Sequence, residues 1–206
     1  MFMSEKELLK LAKEGHIDAF EKLIDAHQKR IYNISLKMLA NEQDAFDASQ
    51  DALLKVFKYL KNFKENSSFS TWVYKIAVNT CLDYINKNKK TSQNISLDET
   101  ITQKDNETTL QFEDKGQNVF DLVLKSERER VLYDALNKLN SEQREMIILR
   151  DIEGFSYEEI AVITNNNLGT VKSKISRARI KLKELLLKNK ELFLSFFVLI
   201  TMNIFF

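Results

Sequence analysis

SYEEIAVITNNNLGTVKSKISRAR, from Ser156 to Arg179, reads as two short helices joined by a tight turn, with one face strongly basic. Ser156 followed three residues later by Glu159 is a capping box, in which the hydroxyl accepts from the Glu159 amide and the carboxylate returns to the Ser156 amide. Ile160 and Ala161 supply the inward face of the first helix. Asn165 falls where the chain must reverse, and the position predicts a positive φ, which Asn tolerates better than most residues. Asn167 then caps the second helix. In that helix Val171, Ile175, Ala178 and Leu182 recur at i, i+4, i+7 and i+11, so they form one buried stripe, while Lys172, Ser173, Ser176, Arg177 and Arg179 point elsewhere. Between Leu168 and Lys190 eight lysines and arginines face a single carboxylate, Glu184. A basic amphipathic helix by itself reads as a solvated surface. The capped helix and turn in front of it make the pair a candidate helix-turn-helix, with a second helix suited to a phosphate-lined groove.

The remainder of the chain extends this helical pattern. No proline and only four glycines occur in 206 residues, and the long 3.6-residue periodicities predict an all-α protein with few sharp loops. The 44% hydrophobic and 30% charged content is that of an ordinary folded, soluble chain, and the net charge of +1 conceals a strong local asymmetry. One cysteine, Cys81, excludes an internal disulfide, and with His16 and His27 as the only histidines no zinc-type cluster forms, so no metal or cofactor is expected. The amino-terminal MFMSEKELLKLAKEG is too charged for a secretory core. A reducing cytoplasm is the expected compartment.

From the amino terminus, Glu5 to Lys13 reads as a helix closed by Gly15, and Asp18 is placed to cap a second helix whose apolar face holds Phe20, Leu23, Ile24, Ile31, Ile34 and Met38. His27, beside that face, reads as a packing histidine. Asn41 and Asp44 resemble a capping box for a third helix to about Leu60, burying Ser49, Leu53, Val56, Phe57 and Leu60. Its other side carries Asp47, Gln50, Asp51 and Lys58. The carboxylates lack any histidine, metal ligand or glycine-rich loop, so the face reads as protein-docking or solvated rather than catalytic. Lys61 to Ser68 breaks the pattern as an ordered loop before a helix capped near Ser68 or Ser70. In that helix Phe69, Val73, Ile76, Ala77 and Tyr84 keep core spacing, and Lys75, Asn79 and Asp83 form a polar line. Polar groups and aromatics beside a loop can hold single-stranded bases, although Phe63 and Trp72 taken alone are core residues more often than base platforms.

Periodicity fades from Thr91 to Leu124, where seven carboxylates meet two lysines, as expected for a flexible acidic tether. Helix resumes from Ser126 with Val131, Leu132, Ala135, Leu136 and Leu139. Asn140 and Ser141 then cap a segment containing Met146, Ile147 and Leu149 that ends at Gly154. The final LFLSFFVLITMNIFF, from Leu192, is almost wholly apolar; as a helix it would reach about 22 Å, short of the roughly 30 Å hydrocarbon core. Membrane contact, packing against a partner and a non-native reading-frame tail are competing readings of it.

Four blocks in order, DAFDASQDALLKVFKYL, FSTWVYKIAVNTCLDYINK, LNSEQREMIILRDIEGFSYEEIA and GTVKSKISRARIKLKELL, resemble the extracytoplasmic-function group of bacterial RNA polymerase sigma factors over roughly residues 5 to 188. The resemblance implies two small helical domains, a region 2-like domain at 1–90 and a helix-turn-helix, region 4-like domain at 126–188, joined by a flexible acidic linker at 91–125 and followed by a tail at 189–206. It implies a non-catalytic specificity subunit with no small-molecule substrate, which binds core RNA polymerase through the clamp helices and flap, recognises promoter DNA and is held by an anti-sigma protein, in many relatives a membrane-bound one. Asp47, Gln50 and Asp51 would dock on the clamp helices. Phe63, Lys64, Asn66 and Ser67 would form the loop that captures a flipped base of the minus-10 element, with Lys75 and Asn79 beside it. Lys172, Ser173, Ser176 and Arg177 would enter the major groove of the minus-35 element, with Thr170, Lys174, Arg179 and Lys181 on the phosphates and Asn167 also at the minus-35 DNA. The chain departs from the family pattern at Asn140, where proline is usual, at Asn166, where the turn is usually apolar, and at Phe46, where an acid is usual. The alternatives are a helix-turn-helix regulator that acts without core polymerase and a membrane-tethered interaction protein.

Overall fold

The computed structural model describes residues 3–95 and 129–188, and every regular element among them is helical. The expected acidic tether, beyond its first few residues, and the apolar tail lie outside the described residues. The amino-terminal half consists of α1 (Glu5–Glu14), α2 (Ile17–Leu39), α3 (Glu42–Tyr59), a 3₁₀ turn at Leu60–Asn62 and α4 (Phe69–Ile95). The carboxy-terminal half consists of α5 (129–137), α6 (Ser141–Ile147), a π turn at Ile148–Ile152, α7 (Tyr157–Thr164) and α8 (Leu168–Leu187).

Local sequence sets most boundaries. Ser4 and Glu7 form a capping box on α1, and Gly15 ends it at φ 101°, a conformation that costs glycine nothing. Asp18 does not cap α2. The helix begins one residue before it, with His16 at the cap position making no side-chain bond, so the Asp18 carboxylate sits in the first turn and faces the positive end of the helix dipole. Asn41 accepts from the Asp44 amide at 2.9 Å; the Asp44 carboxylate, instead of completing a box, accepts from Asn88 at 3.1 Å. Ser68 caps α4 by accepting from the Thr71 amide.

The first core lies where α2, α3 and α4 meet. Ala45, Ala48 and Ala52 are fully buried along one side of α3, and their small side chains let the neighbouring helices approach closely. Ile31, Ile34, Met38, Val56, Val73, Ala77, Val78 and Cys81 fill the remaining space. Each fully buried valine, isoleucine or methionine side chain contributes roughly 1.5–3 kcal/mol. Phe57 departs from its expected burial: it is 49% exposed and forms a T-shaped pair with Phe20, ring centres 5.0 Å apart. His27 packs edge-on against Phe69 and Tyr74 and shares a 2.9 Å hydrogen bond with the Tyr74 hydroxyl. Burial holds its imidazole below the usual histidine range, as suits a packing residue.

The second core joins Met146, Ile147, Ile148 and Leu149 to Ile160, Ile163 and the expected stripe Val171, Ile175, Ala178 and Leu182, all buried. The π turn was not foreseen. It carries the Glu153 amide back to the Ile148 carbonyl at 2.8 Å and the Phe155 amide to Leu149 at 3.0 Å, before Gly154 turns the chain at φ 74°. The two halves pack on each other. Glu153, 9% exposed, receives Arg30 at 3.0 Å and Lys37 at 2.6 Å from α2, the Arg30 guanidinium lies over the Tyr74 and Phe155 rings, and Arg144 donates to the Met38 carbonyl.

Candidate nucleic-acid interface

The helix-turn-helix forms from the residues that the spacing marked. Ser156 and Glu159 exchange bonds of 3.1 and 2.8 Å, Asn165 ends α7 at φ 53°, and Asn167 accepts from the Thr170 amide at 2.8 Å. With Val171, Ile175, Ala178 and Leu182 turned inward, Lys172, Ser173, Ser176 and Arg177 are exposed on the far side of α8. Among the described residues Arg177 bonds only to Ser173 of its own helix, at 3.3–3.4 Å, with no acidic partner. Lys172 lies 5.9 Å from the Tyr157 ring centre and Arg150 4.6 Å, which gathers positive charge around the exposed side of α7. Lys181 is exposed and meets Glu184 one turn on. Lys174 and Arg179 are placed differently: they are partly buried and paired with Glu142 and Asp151.

The second expected DNA contact is the loop between the 3₁₀ turn and α4. Lys64 and Asn66 are exposed and Ser67 is half-buried. Phe63 is not a free platform. It is 5% exposed, with its ring 5.0 Å from Trp72 and 5.8 Å from Phe69, so it anchors the loop from below. Lys13 holds the same loop from α1, donating to the Phe63 carbonyl at 2.9 Å and to Glu65 at 3.1 Å. Glu65 adopts φ 57°, in the left-handed region that non-glycine residues rarely enter. Lys75 is half-buried and Asn79 exposed on the adjoining face of α4. The loop leads directly into α4, which carries Lys75 and Asn79.

Asp47, Gln50 and Asp51 are exposed on α3. Asp51 accepts from the Tyr84 hydroxyl at 2.8 Å, and burial followed by this carboxylate pushes the phenol up to about 12, so Tyr84 remains a proton donor to it. Sequence reasoning missed the apolar component of this face. Phe46 at 53%, Leu54 at 66% and Phe57 at 49% exposed lie beside the carboxylates along the same helix. The signal was present: with the alanines and Val56 committed to the core, 46, 50, 54 and 57 fall together on the opposite side. No group of three or more histidine, cysteine or acidic residues able to hold a metal occurs among the described residues, and none of their helices is long and apolar enough to cross a membrane.

Residues 23–91 match the family described as Sigma-70 region 2, and residues 129–182 match Sigma-70, region 4. The chain is similar to the ECF RNA polymerase sigma factor SigW of Bacillus subtilis, with 33% identity over 185 residues, covering 89% of this chain and 97% of that one. It is also similar to the ECF RNA polymerase sigma-E factor of Haemophilus influenzae, with 32% identity over 178 residues, covering 86% of this chain and 92% of that one. Among solved structures, the sigma factor RpoE of Bartonella quintana, in complex with the anti-sigma factor NepR, aligns with TM-score 0.63 and 25% identity over 82% of this chain and 98% of that one. CnrH, in complex with the cytosolic domain of CnrY, shares the fold at TM-score 0.60 and 22% identity, over 88% of this chain and 96% of that one. Regions 2 and 4 in this order, on the two helical halves described above, place the chain in the extracytoplasmic-function group of RNA polymerase sigma factors.

Proposed function

We propose that this chain is an alternative sigma factor that binds core RNA polymerase, recognises two promoter elements and directs transcription initiation. The observation that carries the reading is the near full-length similarity to SigW, with both promoter-binding regions present in order. The polymerase supplies the chemistry; this chain supplies contacts, and no catalytic group is required of it. The exposed side of α3, with Asp47, Gln50 and Asp51 among Phe46, Leu54 and Phe57, offers acidic hydrogen-bond acceptors around an apolar strip. That composition suits a basic, amphipathic helical partner, as the polymerase clamp helices would be.

In this reading Lys64, Asn66 and Ser67, with Lys75 and Asn79 behind them, receive the melted minus-10 strand. Phe63 supports the loop without stacking on a base. Lys172, Ser173, Ser176 and Arg177 face the minus-35 major groove, and Asn167, Thr170 and Lys181 lie toward the phosphates. The amino-terminal domain would span 1–90 and the second 126–188. The complex of the Bartonella relative with NepR supports an anti-sigma protein as the regulator of this chain, and the cytoplasm, where polymerase works, as its compartment. Reconstitution tests the reading directly: core polymerase with the purified chain should produce transcripts from discrete starts that core alone does not make. Failure to associate with core would sink it.

A further inference from the structure

Two cations on α8 have their charge already answered within the protein. The Lys174 ammonium is 2.6 Å from Glu142 on α6 and donates to the Asn166 side-chain oxygen at 3.1 Å. Asn166 donates in turn to the Thr164 carbonyl and hydroxyl, both at 2.9 Å. A polar chain therefore runs from α6 through α8 into the turn that follows α7. Five residues further on, Arg179 forks onto both oxygens of Asp151, at 3.1 and 2.5 Å, in the π turn. The Lys174 and Arg179 side chains are 21% and 26% exposed, whereas Lys181 is 49% exposed.

Charge alone would assign Lys174 and Arg179 to the phosphate backbone. Their partners argue otherwise. A cation within 3 Å of its own carboxylate, on a side chain three-quarters covered, releases few counterions when DNA arrives. The two bonds instead connect α8 to two different elements at points separated by more than one helical turn. Fixing a helix at two such points sets both its rotation and its position along its axis. Asn166 gains a reason as well: a polar residue in the turn supplies the acceptor for Lys174 and the donor for Thr164.

We propose that Lys174 and Arg179 are positioning residues of the minus-35 contact, holding α8 at the angle at which Lys172, Ser173, Ser176 and Arg177 meet base edges. The proposal rests on α8 being the DNA-reading helix. The test uses the full chain assembled with core polymerase, with binding to cognate promoter and to scrambled duplex measured as a function of salt. Lys174→Met and Arg179→Met should each weaken cognate binding about 3- to 30-fold while leaving the log–log salt slope unchanged; Lys181→Ala should lower that slope by about one unit.

Glu142→Gln and Asp151→Asn separate the alternatives without touching a cation. If the cations position the helix, each acid variant lowers the preference for cognate over scrambled DNA. If they contact phosphate, each acid variant frees a cation and tightens binding to both duplexes. Tightening, or a slope loss of about one for Lys174→Met or Arg179→Met, overturns the proposal. Should the methionine variants not fold, the acid variants decide. Absence of any cognate preference in the unmodified holoenzyme would instead overturn the reading of α8 itself.

Discussion

Arg30 and Glu153, 123 residues apart, join the two promoter-binding halves. The guanidinium donates to the carboxylate at 3.0 Å and to the Glu153 carbonyl at 2.5 Å, and it is flanked by the Tyr74 and Phe155 rings. Lys37 neutralises the second carboxylate oxygen at 2.6 Å. Glu153 is thus almost covered and wholly compensated, while Arg30 keeps 37% of its side chain in solvent.

Removing the carboxylate leaves two cations of α2, Arg30 and Lys37, without their shared partner. Losing one partner of a fully buried pair costs about 3–5 kcal/mol, and an exposed pair about 0–1 kcal/mol. With the Glu153 side chain 9% exposed and Arg30 more than a third exposed, Glu153→Ala should weaken the docking of the two halves by about 2 kcal/mol. Energy transfer between labels at Lys58 and Lys188 should fall, with the helical content unchanged. Unaltered transfer would mean that the ion pairs do not hold the halves together.

This contact also marks what a sequence can and cannot disclose. Caps and stripes are local: Ser156, Glu159, Asn165, Asn167 and the Val171-to-Leu182 stripe are set by residues within a turn or two of one another, and each falls where its spacing requires. Phe57 shows the first limit. Helical periodicity tells that a side chain shares a face with Val56 and Leu60 only to within the width of that face, and the alanines of α3 move the covered side away from it. Glu153 shows the second. Nothing near it in sequence distinguishes a solvated acid from one that meets α2 across the molecule, and the π turn that aims it has no composition of its own. Lys174 and Arg179 show the same limit, since charge density is read from the chain and charge pairing only from the fold.

Glu145 gives the protein a pH-dependent stability. It is 6% exposed, and desolvation, opposed by Lys174 and assisted by Glu142, pushes its carboxyl up to about 7 from an ordinary value of 4.5. A raised acid favours the protonated folded state, so its stabilisation is complete below about 4.5 and is lost as pH rises toward 7. The loss is on the order of 3 kcal/mol. Glu145→Gln should remove this dependence and unfold at higher denaturant than the unmodified chain at pH 8, the difference vanishing near pH 4.5. An equal difference at both pH values would place the effect in packing.

The exposed apolar strip on α3 should behave as a docking surface. Leu54 is 66% exposed, so Leu54→Ala removes little folding energy. At the centre of an interface a truncated aliphatic anchor costs about 1–2 kcal/mol. Competition for core polymerase against the unmodified chain should therefore show about tenfold weaker binding with the thermal midpoint unmoved.

Phe63 and Asn66 should separate support from contact in the minus-10 loop. Phe63→Ala empties a site between Phe69 and Trp72 and should cost about 3–4 kcal/mol of stability without any DNA present. Asn66→Ala should leave stability unchanged and reduce promoter opening, followed by fluorescence of a base analogue in the melted strand. A stable Phe63→Ala protein with a selective loss of opening would return that ring to the DNA.

On α8 the groups that meet bases and those that meet phosphates should differ in kind as well as degree. Arg177 is exposed, restrained only by Ser173 of its own helix, and a guanidinium so placed can reach guanine O6 and N7 together. Arg177→Ala should then reduce promoter-specific initiation by the equivalent of about 1–3 kcal/mol and relax the preference at one base pair. Lys181 lies farther along the helix and pairs with Glu184 at 3.1 Å across solvent, a contact worth too little to withhold it from a phosphate. Its removal should weaken cognate and scrambled duplex alike. Holoenzyme binding to a panel of single-base promoter variants distinguishes them: a uniform loss for Arg177→Ala over the whole panel would show that it, too, contacts only the backbone.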